Sequence, residues 1–199
     1  MEILTSTISV DGGFLAFQSL DSNLIPDTSN LIPNTSNLIP DVSNLVAEVT
    51  SGSSDILGSE GVNTLLGSNG DSLLTGSFQT VSINGGSATG QIISGAADDS
   101  ISVGSGDYLI DAGAGNDTIW LGDGNNTVVL TSGNGLDTIH KFDLDQTHLG
   151  LSGGLTFNDL NITQAGDATL VEIASTGEDL ASLVGIQASS INSSSFVII

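Results

Sequence analysis

Residues 112–120, Ala-Gly-Ala-Gly-Asn-Asp-Thr-Ile-Trp, decide the fold. Stepping by nine from Ile119 meets Ile110, Ile101, Ile92, Ile83, Leu74, Leu65 and Ile56 in one direction and Val128 in the other, every one of them aliphatic. The insertion of Leu130 and Thr131 interrupts the register, which resumes at Ile139. The fourth position of the same unit stays small at Gly52, Gly61, Gly70, Ala88, Ala97, Gly106, Gly115, Gly124 and Gly135, with Gln79 the exception. A small turn residue followed by an inward aliphatic residue in a short strand, repeated at this period, describes a parallel β-solenoid in which two units make one coil. The units from Val49 to His140 predict about five coils, stacked roughly 4.8 Å apart. A Gly-rich flexible linker has no reason to keep an aliphatic residue at every ninth position.

Composition narrows the possible functions. The chain has 199 residues, with 23 Asp and Glu against one basic residue, Lys141, and a net charge of -22. Such a surface repels phosphates and acidic membranes, which excludes nucleic-acid binding. Hydrophobic residues make up 38% of the chain and the mean hydropathy is +0.25, so the low hydrophobicity of disordered acidic chains is missing. Carboxylates at this density call for a counter-cation, and hard oxygen-rich sites suit Ca²⁺. With no cysteine there are no disulfides, thiolate metal sites or thiol nucleophiles. Met1–Val10 has neither a basic n-region nor an apolar h-region, so secretion, if it occurs, is expected to use a route other than an ordinary signal peptide. No apolar run has the length of a membrane helix.

Gly113-Ala-Gly115-Asn-Asp117-Thr-Ile119 and Gly133-Asn-Gly135-Leu-Asp137-Thr-Ile139 follow the pattern G-G-x-G-x-D-x-U-x, where U is a large aliphatic residue. The chain therefore resembles the RTX family of type I secreted calcium-binding nonapeptide-repeat proteins. The resemblance spans about three quarters of the chain and is most specific near residues 94–160. Phe142 and the stretch from Leu149 to Leu160 are similar to the C-terminal end of RTX proteins common in cyanobacteria. The resemblance implies a β-roll in which Ca²⁺ lies between turns on one side of neighbouring coils, held by sixth-position Asp carboxylates and backbone carbonyls. Successive units alternate sides, so the sixth positions separate into Asn63, Val81, Asp99, Asp117 and Asp137 on one edge and Ser54, Ser72, Gly90, Tyr108 and Asn126 on the other. Two calcium sites are expected, one between Asp99 and Asp117 and one between Asp117 and Asp137, in turns built by Gly95, Gly113, Gly115, Gly133 and Gly135. The opposite edge should be empty or weak. Asp98, Asp107 and Asp123 sit in neighbouring turn positions, where the plainer reading is solvated carboxylates. Asp111 is placed on a strand, away from the sites.

Catalytic signals are thin. His140 and His148 flank Asp143 and Asp145, but this stretch leaves the roll and is read as closing its last coil. No G-x-S-x-G elbow is present, and the Gly-rich turns neither open helices nor precede a basic residue, so they are not phosphate loops. The chain is not expected to be an enzyme.

Four segments follow: a β-hairpin at 1–20, an arm at 21–48, the roll at 49–142, and a β-rich C-terminal cap with a secretion signal at 143–199. The arm repeats a heptad, Asn23-Leu-Ile-Pro-Asp-Thr-Ser29, Asn30-Leu-Ile-Pro-Asn-Thr-Ser36 and Asn37-Leu-Ile-Pro-Asp-Val-Ser43. Proline in each copy forbids a continuous helix, leaving apolar anchors Leu24-Ile25, Leu31-Ile32 and Leu38-Ile39 separated by turns. On the roll's outer faces, Thr64, Ser82, Ser100, Thr118 and Thr138 form a hydroxyl ladder, while Leu57, Leu73, Ile93, Leu109 and Val129 form an apolar strip. That strip either receives the chain's own arm or contacts another subunit. The apolar end Phe196-Val-Ile-Ile199 reads as a capping strand and, by resemblance, as a signal for a type I exporter. The expected function is a secreted, Ca²⁺-stabilised structural protein of the cell surface or matrix, self-assembling into fibres or sheets. The alternative is a monomeric extracellular binding module for a ligand or ice, or the RTX tail of an exported protein.

Overall fold

The structure is a computed structural model. It describes residues 5–10, 13–18, 44–48, 54–57, 62–66, 72–77, 80–87 and 89–199. The anchors at Leu24, Ile25, Leu31, Ile32, Leu38 and Ile39 lie outside these residues, as do the side chains of Leu57 and Leu73 within their strands. At the N-terminal end, β1 (Thr5–Val10) and β2 (Gly13–Gln18) pair antiparallel, from Thr5 with Gln18 to Val10 with Gly13.

The repeat region climbs as two parallel sheets, with consecutive strands assigned alternately to each. One sheet receives β3 (Asn44–Glu48), β5 (Val62–Leu66), β7 (Val81–Asn84), β9 (Ser100–Ser102), β11 (Thr118–Trp120) and β13 (Asp137–His140). The other receives β4 (Ser54–Leu57), β6 (Ser72–Ser77), β8 (Gly90–Gly95), β10 (Tyr108–Asp111) and β12 (Thr127–Leu130). The register is the one the nonapeptide demands. Ile83 lies beside Ile101, Ile101 beside Ile119 and Ile119 beside Ile139, while Leu74, Ile92, Ile110 and Val128 stack in the facing sheet. All are 0–1% exposed. Burying one such side chain contributes about 1.5–3 kcal/mol, so the two columns are the main apolar support of the roll.

The interior is fuller than one inward residue per unit. Strand side chains alternate with period two, so the residues two before and two after each central aliphatic also point inward. The sixth position thus brings Val81, Asp99, Tyr108, Asp117, Asn126 and Asp137 inside, and the next unit's first position brings Ser94, Val103, Ala112, Leu121 and Leu130. Sizes are complementary along this second column. A Cβ at Gly85 would lie 2.9 Å from the Tyr108 ring, so the missing side chain there makes room for the phenol. Ser94, wholly buried, donates its Oγ–H to the Ala112 carbonyl of the next coil at 2.5 Å.

The cap closes both sheets. After β14 (His148–Leu151) joins β12, an antiparallel meander of β15 (Leu160–Ala165), β16 (Ala168–Ile173) and β17 (Glu178–Val184) turns at Gly166-Asp167 and lays β17 parallel against β13. Finally β18 (Phe196–Ile198) pairs parallel with β14. The aliphatic columns continue into this cap: Leu183 stacks on Ile139, and Leu149 on Val128 with Phe196 beyond it. Phe142, the residue after the positive-φ Lys141, folds back into the core.

The outer apolar strip is not continuous. Leu73, Gln91, Leu109 and Thr127 share one column, and Leu57, Thr75, Ile93 and Asp111 share the next. Val129 is covered, at 9% exposure, and the neighbouring Gly150 faces the Ile199 side chain, which a Cβ there would approach to 3.1 Å. Leu109 is exposed and Ile93 half-buried.

Ile119→Ala should cost about 2–5 kcal/mol in saturating calcium, read by urea unfolding through the fluorescence of Trp120, the sole tryptophan. An effect below 1 kcal/mol, a magnitude characteristic of surface sites, would mean that the stack is not the load of the fold.

Candidate metal centre

The three sixth-position acids meet as the alternation requires. Asp99 and Asp117 sit immediately before β9 and β11, and Asp137 opens β13, all on one edge of the roll and 3%, 0% and 6% exposed. Each carboxylate reaches back one coil. Val81 N–H donates to Asp99 Oδ1 at 2.6 Å, Asp99 N–H to Asp117 Oδ1 at 2.7 Å, and Asp117 N–H to Asp137 Oδ1 at 3.2 Å. One oxygen of each is thereby spent on holding the coils together. The second oxygens of Asp99 and Asp117 are buried with no hydrogen-bond partner. A buried carboxylate oxygen left this way is costly as an anion.

The acidities reflect that cost. Burial pushes Asp99 up to about 6 against the relief of the Val81 N–H, with the negative charges of Asp117 and Asp98 adding to the rise. Burial likewise raises Asp117 and Asp137, and the Asp117 carboxylate beside Asp137 raises the latter further. A divalent cation along this edge removes both penalties, since it gives the orphaned oxygens a partner and separates like charges.

Whether the residues fit Ca²⁺ turns on the other ligands. Among the described residues no three acidic or imidazole groups converge. Backbone carbonyls, which Ca²⁺ accepts readily, are the further donors that the adjoining turns offer. The turns are shaped to present them. Gly95, Gly113, Gly115, Gly133 and Gly135 have positive φ, a region that glycine takes without strain, and Ala97 takes it despite its Cβ. A Cβ on Gly113 would lie 1.8 Å from the Gly95 carbonyl oxygen, and one on Gly115 would lie 2.3 Å from that of Ala97. The turns stack with carbonyls against bare Cα atoms. Asp99, Asp117 and Asp137 with these turn carbonyls fit the cation, which would supply charge neutralisation and cross-coil bridging.

The last turn differs. Two extra residues precede it, and a Cβ on Gly133 would meet nothing within 4 Å, although one on Gly135 would still lie 2.1 Å from the Gly115 carbonyl oxygen. Glu178 of the cap holds it instead, accepting from the Gly133 N–H and, at 2.8 Å, from Ser132 Oγ. These two bonds hold the Glu178 carboxyl below its usual range. The sequence carried no signal for this link, which joins residues 45 apart.

On the opposite edge the same rung is neutral. Tyr108 N–H donates to Asn126 Oδ1 at 3.1 Å, in the place of a carboxylate, while Asn126 Nδ2 donates to the Gly122 and Gly124 carbonyls at 3.4 and 3.3 Å. An amide brings its own donors and needs no cation. Tyr108 fills the adjoining space and donates its hydroxyl to the Gly85 carbonyl.

The fifth positions form an outer ladder that sequence reading passed over. Asp98 Oδ1 accepts from Asn116 N–H at 2.7 Å, Asn116 Oδ1 from Leu136 N–H at 3.1 Å, and Asp107 Oδ1 from Asn125 N–H at 2.7 Å. The signal was present as Asp or Asn recurring every eighteen residues. Asp123 is exposed. Asp111 is nearer the site than its strand position suggested, since it accepts from Gly113 N–H at 3.2 Å and its charge raises Asp117. His140 stacks on Trp120 and His148 lies on β14, while Asp143 accepts from the backbone of Asp145 and the side chain of Gln146 in its own exposed turn.

A parallel roll with a buried carboxylate ladder beside carbonyl-lined glycine turns defines a calcium-binding β-roll. Residues 54–79, 93–128 and 109–139 match the model of the RTX calcium-binding nonapeptide repeat, so the chain carries RTX repeats, and RTX nonapeptide repeats bind calcium. Among solved structures, it is similar to the AlgE6R2 subunit of the Azotobacter vinelandii mannuronan C5-epimerase, at 25% identity and a TM-score of 0.48 over 62% of this chain and 91% of that one. It is similar to the AlgE6R3 subunit of the same epimerase at 19% identity and a TM-score of 0.37, over 74% and 79% of the two chains. For the extracellular lipase LipA of Serratia marcescens the values are 11% and 0.34, over 71% of this chain and 40% of the lipase. No curated protein matches the chain.

Asp117→Ala should abolish both expected calcium sites, because its carboxylate borders each, whereas Asp167→Ala in the meander turn should leave them intact. Calorimetric titration showing equal loss from both substitutions would contradict the register.

The raised pKa values also fix a sign. Without calcium, Asp99 favours the folded state below about 4 and loses that contribution as pH rises through about 6. Calcium requires the ionised form, so its affinity should fall as pH drops below about 6, where binding must displace the Asp99 proton. Titrations at pH 5 and pH 7.5 with equal affinity would refute the assignment of the buried ladder as the site.

Proposed function

We propose that the chain is an exported, non-catalytic structural module of the cell surface or extracellular matrix, which calcium locks and which then associates with copies of itself. The observation that carries this reading is the buried carboxylate ladder with its unpartnered oxygens, which makes the folded roll depend on a cation. Such a chain is disfavoured as a folded roll where calcium is scarce and favoured where calcium is abundant, which suits export in an extended state through a type I exporter. Among the described residues no helix is long and apolar enough to cross a membrane. Support for self-association comes from the three Leu-Ile anchors of the arm and from the exposed Val197, Ile198 and Ile199 at the last strand of one sheet. A strand edge of this kind accepts an added strand.

The rival reading is a monomeric extracellular binding module, favoured by the regular hydroxyl ladder on the outer face. Light scattering on the full chain, with calcium and with chelator, separates the two. The proposal expects particles well above 20.0 kDa in calcium, returning to monomer on deletion of residues 1–45. A stable monomer at high calcium overturns the assembly reading.

A further inference from the structure

The outer face of the sheet that carries the acid edge has a feature that calcium does not explain. Its outward positions form two columns. Ser82, Ser100, Thr118, Thr138 and Ser182 lie side by side in register along one. Asn84, Ser102, Trp120 and His140 lie along the other. On a chain of net charge -22, none of these positions from β7 onward is acidic; the second column meets its first acid at Glu48, two strands beyond Asn84. The facing sheet has no such exclusion, since Asp55 and Asp111 occupy outward positions there.

Within this neutral field the Trp120 indole and the His140 imidazole stack with centroids 4.9 Å apart and planes 6° from parallel. Trp120 is 39% exposed, one of the few large apolar side chains of the described residues left open to water. The two flat rings stack face to face at the strand spacing and form a small aromatic shelf: His140 covers one face of the indole, its edge and the side toward Ser102 remain, and a ladder of hydroxyls flanks it.

We propose that this face, centred on Trp120 and His140, binds a neutral polysaccharide. A pyranose ring is amphipathic in the matching way. It presents C–H groups on its faces, which pack on the electron-rich surface of an indole, and hydroxyls around its rim, which exchange hydrogen bonds with Ser, Thr and Asn side chains. A polymer suits the surface better than a single sugar, because the hydroxyl column continues across five strands while the shelf provides one anchor. Charge selects the class. A polyanion is repelled by the acidic protein as a whole, a polycation would find its partners on the acidic turns, and a neutral chain loses nothing on a strip without carboxylates. Lys141, the lone cation, follows His140 and is exposed. This binding does not depend on self-association, and a monomer would serve equally well.

The test uses the full chain in calcium and the fluorescence of its sole tryptophan. Hydroxyethyl cellulose and laminarin serve as neutral probes, with polygalacturonate as the acidic one. The expected result is a saturable change in Trp120 emission and retarded migration in gels containing a neutral glycan. Trp120→Ala should weaken retardation about tenfold or more, Trp120→Phe should restore part of it, and Leu109→Ala on the opposite face should change nothing. Calcium titration of each variant checks that the roll is intact. The proposal is overturned if neither neutral glycan alters emission or migration, or if Leu109→Ala weakens binding as much as Trp120→Ala. It is equally overturned if only polygalacturonate binds and Lys141→Ala abolishes that, or if Trp120→Ala changes particle size while leaving migration unaffected, which would assign the shelf to contact between copies.

Discussion

Along one edge of the roll, each buried aspartate gives one oxygen to the backbone of the coil before it, and Asp99 and Asp117 keep the other without a partner. That arrangement governs the rest. It spaces the coils and brings negative charges into an apolar interior. It also leaves a deficit that an oxygen-seeking cation removes. The aliphatic columns supply the apolar burial that any fold needs, but they are indifferent to calcium. The ladder is what makes stability conditional. The glycine turns belong to the same device, because carbonyls can line the edge only where neighbouring backbones approach without Cβ atoms between them.

Much of this was legible in a single nonapeptide. A period of nine with alternating sides predicts which residues stack eighteen apart, and the register from Leu74 to Val128 and from Ile83 to Ile139 follows it. The placement of Asp99, Asp117 and Asp137 on one edge follows from the same parity. Two extra residues shift the spacing to twenty without breaking the pairing; Leu130 itself keeps its strand register in β12, so they are absorbed in the turn after it rather than at Leu130-Thr131. Elements that depend on strand alternation rather than on the repeat were undercounted, as Ser94, Val103 and Leu121 show by pointing inward beside the main column.

Other features lay beyond reach because they join segments with no common period. Glu178 finds Gly133 only once the meander has folded back onto β13, and Ile199 covers Gly150 only once β18 has paired with β14. Both contacts tie the cap to the last coils, where the repeat itself is least regular. The cap supplies one strand to each sheet, so it continues both aliphatic columns instead of merely covering them.

The two edges of the roll are built from different chemistry, and this gives the molecule a clasp and a spine. The clasp is ionic and closes on a cation. The spine, through Asn126 and Tyr108, is held by amide and phenol groups whose hydrogen bonds are complete without one. Withdrawal of calcium is expected to loosen the coils along the clasp first while the Tyr108–Asn126 rung keeps its bonds, as pages stay bound when a book is opened. Reclosing then requires no search for register, because the spine preserves which turn belongs above which and the entropy of bringing distant segments together has already been spent. A roll with acids on both edges would lose that memory each time it emptied.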